Sequence, residues 1–242
     1  MARPPATHTL TRELPRISAN ELAQFMVASD TGRMGIIRRA RESVTPTRVR
    51  YSDVRKDIRA HLTDATRNAR LIHAARQRFE QRSDDDSLSA FQRDDAAQSV
   101  DVLDAYLTMQ NQLGGYAFAA APTRQPLLSI NGVDVSVRLD VLTHRAISQH
   151  DPVGGAIFRF TRADEETEMA SARRREMGAF VATLVMMQAQ RNIAGNRQTD
   201  FRLCLSIDVQ FREVHVASRN HTQRINNLEN ACHFIAAMWD RI

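Results

Sequence analysis

Near residue 115 the hydrophobic period of this chain changes from about 3.6 residues to 2, and no other feature restricts its fold as much. Upstream, Val54, Ile58, Leu62, Ala65, Ala69, Ile72 and Phe79 mark one apolar stripe along a long helical tract that opens at Ser52. Downstream, residues 127–130, Asn131-Gly132 and residues 133–142 read as a hairpin, because Asn-Gly suits the two positive φ angles of a type I′ turn. Val133, Val135, Val137, Leu139 and Val141 point one way, and Asp134, Ser136, Arg138 and Asp140 the other.

The remaining elements follow from caps and alternation. Ser18 and Glu21 form a capping box with Ile17 and Leu22 at the staple positions, so structure is expected to begin at Ile17. A short helix follows over about 33–41, ending before Pro46. The acidic run Ser83-Asp84-Asp85-Asp86 precedes a helix over about 87–113 with Leu88, Phe91, Val100, Leu103, Tyr106 and Leu107 inward. A third strand is expected over 156–161, then a helix over about 166–193, strands at 201–209 and 214–216, and a last helix over about 222–241. This order predicts an α/β (α+β) architecture: a central mixed sheet of about five strands flanked by helices, behind a helical N-terminal region. The expected division is a flexible arm over 1–16, a helical region over 17–82 and the core domain over 83–242.

Charge and cysteine content limit the function classes. The 33 basic side chains are all arginine except Lys56, a bias that reads first as the imprint of a GC-rich, bacterial genome. Residues 1–80 carry 16 basic against 8 acidic side chains, so positive charge gathers in the N-terminal third. Arg38, Arg39 and Arg41, with Arg48 and Arg50 nearby, form the first basic cluster, and Arg173, Arg174 and Arg175 the second. Both are candidate nucleic-acid contacts that would hold a phosphate backbone without reading its sequence. Two cysteines, Cys204 and Cys232, exclude a disulfide framework and a four-cysteine zinc site, and each lies at an apolar position of its element. No stretch approaches the 18 apolar residues of a membrane span, so no membrane partner and a cytoplasmic location are expected.

The segment order from 87 to 217 resembles the core of the PD-(D/E)XK nuclease superfamily, in which a helix leads into three antiparallel strands, a crossover helix and a parallel strand. Asp140, in Val137-Arg138-Leu139-Asp140, stands where the family keeps its first metal-binding aspartate, and Gly155-Ala156-Ile157-Phe158-Arg159-Phe160 stands where it has its (D/E)-X-K strand. The resemblance implies Mg²⁺ held by two carboxylates, with a lysine beside the attacking water. This sequence departs from that pattern. The strand at 156–161 has neither carboxylate nor lysine, Lys56 lies well upstream, and Arg159 is a poor activator of water. Further acids could come only from Asp94, Asp95, Asp101 or Asp104 of the preceding helix.

The leading expectation is therefore a non-catalytic accessory or interaction protein with a nuclease-like core that contacts a nucleic-acid backbone. No cofactor is expected under it; a protein partner is, and a homo-oligomer is compatible. One alternative is a Mg²⁺-dependent nuclease built around Asp140 as metal ligand, and another a purely protein-binding module of a bacterial complex.

Overall fold

A five-stranded mixed sheet divides the molecule into two apolar cores. The computed structural model describes residues 9–44, 49–145, 152–160 and 167–242. The sheet consists of β4 (Ala117–Ala120), β7 (Val141–His144), β8 (Val153–Arg159), β9 (Thr199–Asp208) and β10 (Glu213–Val216), in the order β10-β9-β8-β7-β4. Neighbours are antiparallel except β8 and β9, which run parallel and are joined through the crossover helix α7 (Glu168–Gln188). A second, three-stranded sheet has the order β2-β6-β5, from β2 (Arg16–Ser18), β5 (Leu128–Ile130) and β6 (Val133–Ser136). The expected mixed α/β architecture is present.

The period-2 pattern of the central strands explains the two cores. Ile157 and Cys204 point to the core shared with α7, α1 (Ala19–Val27), α2 (Asp30–Arg41), α8 (Thr222–Met238) and the small sheet. Ala156, Phe158, Leu205 and Ile207 point to the other core, under α3 (Ser52–Thr63), α4 (Ala69–Ser83) and α5 (Ala90–Thr108). With both faces covered, all seven residues of β8 are buried.

The Ser18–Glu21 capping box forms as read, and Asn131 and Gly132 adopt φ of 44° and 81°, both positive as the type I′ turn requires. Other expectations are corrected. Residues 9–16 are no free arm: β1 (Thr9–Thr11) pairs with β3 (Glu42–Val44), β2 pairs in parallel with β6, and the Trp239 indole donates to the Arg12 carbonyl at 3.1 Å. Residues 1–8 lie outside the described residues. The long tract from Ser52 is two helices. Asp64 accepts from the Thr66 N–H, Arg67 takes φ of 46° and Asn68 caps α4, so side-chain bonds replace the helical ladder. Ala65 and Ala69, assigned to the stripe, are consequently exposed, as is Phe91.

The strand expected over 133–142 is also two elements. The Gln125 side chain takes both main-chain groups of Leu139, accepting from its N–H at 2.8 Å and donating to its carbonyl at 2.9 Å. The chain therefore leaves the small sheet after Ser136 and enters the central sheet at Val141. The one-sided alternation ends at the crossing: Val137 and Leu139 lie in the core under α7, Val141 lies in the core under α5, and Asp140 between them is buried as well. The edge strand β4, Ala-Phe-Ala-Ala, escapes sequence reading because it lacks β-branched residues. A short helix, α6 (Gln110–Leu113), precedes it.

Candidate anion-binding cleft

Arg55 and Arg59 of α3 and the crossing segment 137–140 line a cleft of about 640 Å³. Tyr51 sets the start of α3. It adopts φ of 60°, donates its N–H to Asp95 Oδ1 at 2.8 Å and its hydroxyl to Gln98 Oε1 at 2.6 Å. From there Val54, Ile58 and Leu62 turn into the core, which leaves Arg55 and Arg59, one turn apart, for the cleft. On the crossing segment, burial of Val137 and Leu139 turns Arg138 outward. Arg59 and Arg138 make no side-chain ion pair or hydrogen bond among the described residues.

Asp140 closes the floor of the cleft. Its Oδ2 accepts from the Phe158 N–H at 2.8 Å and from Arg55 Nη1 at 2.6 Å, and its side chain is 6% exposed. The Arg55 guanidinium lies 4.8 Å over the Phe160 ring, which stacks on Tyr51 at 5.4 Å. A second cavity of about 310 Å³ adjoins the first, shares Arg59 and Asp140 with it, and is lined also by Lys56. The one lysine of the chain thus lines the same cavity as Asp140, although sequence reading leaves it upstream of the core; its ammonium pairs with Asp53 at 3.2 Å.

The donor set does not fit a divalent cation. Among the described residues one carboxylate faces the cleft, and its Oδ2 is already shared between a main-chain N–H and a guanidinium. The acids of α5 have their own partners: Asp94 pairs with Arg50, Asp95 holds Tyr51, and Asp104 pairs with Arg76 at 2.8 Å. Asp101 is exposed. Among the described residues no three His, Cys, Asp or Glu side chains converge.

The basic clusters read from sequence are dispersed among partners. Arg38 and Arg39 are exposed on the last turn of α2, without an ion pair among the described residues. Arg41 donates to the Ile242 main-chain oxygen, and Arg50 lies over Phe91 as well as pairing with Asp94. Arg173 donates to Met169 Sδ, Arg174 stacks 3.8 Å over Phe211, and Arg175 pairs with Glu213 at 3.2 Å. Arg48 lies outside the described residues.

Arg159 belongs to a different constellation. It ends β8 and pairs at 3.5 Å with its register partner Asp208 on β9, each side chain 1% exposed. Burial pushes the Asp208 carboxyl up to about 6, against the pull of Arg159, and lowers the pKa of His215 on β10. Among the described residues Arg159 Nη2 and Asp208 Oδ2 have no hydrogen-bond partner. Sequence reading misses Asp208, although Ser206 and Asp208 alternating with Leu205 and Ile207 is the available signal. Cys204 and Cys232 are buried as expected, and burial pushes both thiols up to about 12. No family model matches this chain, and no curated protein matches its sequence.

Proposed function

We propose that this protein is a non-catalytic accessory protein with a nuclease-like core that contacts a nucleic-acid backbone and does not hydrolyse it. One observation carries the reading: the carboxylate at the head of β7 is occupied by Arg55 and the Phe158 N–H, inside a cleft whose other charged groups, among the described residues, are cations. Such a site attracts phosphate but lacks the paired carboxylates that would hold a metal and acidify water. The order β4-β7-β8-β9, with α5 before it and α7 crossing between parallel β8 and β9, supports the family resemblance. No described helix is long and apolar enough to cross a membrane, which is compatible with a cytoplasmic role beside a protein partner.

The test is incubation of the purified protein with labelled DNA and RNA in Mg²⁺ or Mn²⁺, followed by gel electrophoresis. The substrate is expected to remain intact. Metal-dependent cleavage that disappears in Asp140→Ala would replace this reading with that of a nuclease.

A further inference from the structure

We propose that Arg55, Arg59 and Arg138 grip successive backbone phosphates in the cleft, with Asp140 as the positioning residue that holds Arg55 in place. The inference rests on the reading above and gives it a site other than the clusters at 38–50 and 173–175.

Three features support it. Arg55 and Arg59 come from one face of α3 and Arg138 from the crossing segment 137–140, so cations from two separate elements line the same space. Guanidinium N–H groups fit phosphate oxygens in pairs; among the described residues Arg55 uses one of its five N–H donors, while Arg59 and Arg138 keep theirs. The two adjoining cavities share Arg59 and extend the cationic surface past Lys56, which suits a chain of phosphates better than a single small anion.

Asp140 gives the proposal its distinguishing sign. Arg55 is immobilised by the 2.6 Å bond to Asp140 and by the Phe160 ring, so less side-chain entropy is lost when a phosphate binds. A simple count of charges says that removing a carboxylate from an anion site tightens binding. The geometry says that it releases Arg55 and weakens binding. Because the cation at Asp140 is supplied by the protein, binding needs no divalent metal.

The experiment is fluorescence anisotropy with a labelled single-stranded and a labelled duplex oligonucleotide, in EDTA, at two salt concentrations. Inorganic pyrophosphate is titrated in parallel, followed by amide chemical shifts. Arg59→Ala/Arg138→Ala is expected to weaken oligonucleotide binding about tenfold and flatten the log–log salt slope by about 1.4–1.8, from roughly 0.7 per single-strand and 0.9 per duplex phosphate. Arg38→Ala/Arg39→Ala should leave both quantities unchanged. Asp140→Asn, with its melting temperature checked, should bind more weakly than wild type. If that variant does not fold, Phe160→Leu, which removes the stack under Arg55, should weaken binding in its place. Wild-type affinity in the Arg59/Arg138 variant would overturn the site while leaving nucleic-acid contact standing. Unchanged or tighter binding by folded Asp140→Asn would overturn the positioning role. Pyrophosphate shifts in the cleft without oligonucleotide binding would keep the phosphate grip and overturn the nucleic-acid reading; no binding of either would overturn both.

Discussion

Asp208 ends a parallel strand inside the protein, where a carboxylate is costly unless it is well paired. Its one cationic register neighbour is Arg159, while Glu213 faces it from β10 and Arg174 lies across on α7. Burial wins over the Arg159 attraction, so the folded-state pKa rises to about 6 from an ordinary 3.8. A raised carboxyl pKa contributes stability that is present below the unfolded value and lost as pH climbs through the folded one. Wild type should therefore lose stability between about pH 4 and 7 relative to Asp208→Asn, which cannot ionise. The difference in melting temperature, variant minus wild type, is expected to rise across that window in thermal scans. A constant difference would mean that Asp208 is ionised throughout. The same scale explains how much of the candidate site is legible in sequence. Asp140 can be singled out by its place before β7, and Arg55 and Arg59 stand at a visible i, i+4 spacing. Nothing local says that α3 meets the segment 137–140, about 80 residues on, so only the folded chain joins them. The arginine count misleads for a related reason. In the predicted clusters Arg50, Arg174 and Arg175 are committed to carboxylates or aromatic rings, while Arg59 and Arg138, which make no ion pair among the described residues, lie in the cleft outside those clusters.

The helix α7 and the hairpin β9–β10 meet through a glycine. A Cβ built on Gly178 would lie 2.1 Å from the His215 ring, so the absence of a side chain is what lets His215 pack beneath the helix. In a free helix Gly→Ala gains about 1 kcal/mol. Here Gly178→Ala is expected to destabilise by about 1–3 kcal/mol, the usual cost of overpacking. Adding His215→Ala should recover part of that loss, because the smaller side chain makes room. Chemical denaturation of the two single variants and the double variant measures this coupling, and additive effects would place the clash elsewhere. Elements were legible where one local rule dominates. The Ser18 box and the Asn131-Gly132 turn appear as read, and Leu205, Ile207 and Val209 share one face as the alternation of β9 predicts, whereas Phe201 packs on the other core. They were illegible where a side chain from elsewhere intervenes. Gln125 takes the main-chain groups of Leu139 and splits one apparent strand between two sheets, and Asp64 with Asn68 splits one apparent helix. Period alone cannot report the change of sheet, since the sequence alternates unbroken through Val137, Leu139 and Val141 while the fold sends Val141 to the other core.

At the scale of the whole molecule, the boundary expected near residue 82 runs through both cores instead of between domains. Leu22, Phe25, Ile36 and Ile37 belong to the core under α7, and Val54, Ile58, Leu62, Ile72 and Phe79 to the core under α5. Each is buried, and burying a side chain of this size is worth about 1.5–3 kcal/mol. Their removal exposes the facing apolar surface of both cores, a loss comparable with the roughly 5–15 kcal/mol by which a domain is stable. Removal of residues 1–82 also strips β2 from β6 and opens that strand's edge to other chains. It takes away α3 as well, and with it one wall of the cleft and the partner of Asp140. A fragment spanning 83–242 is therefore expected to be a collapsed, aggregation-prone chain. It should bind an apolar dye, lack a near-ultraviolet circular dichroism signal and melt without a sharp transition, whereas the full chain shows both the signal and the transition. A fragment that melts cooperatively with the near-ultraviolet spectrum of the full chain would show that the five-stranded sheet carries its own stability. The first 82 residues would then be an appended module, and the cleft a junction between two units instead of a feature of one.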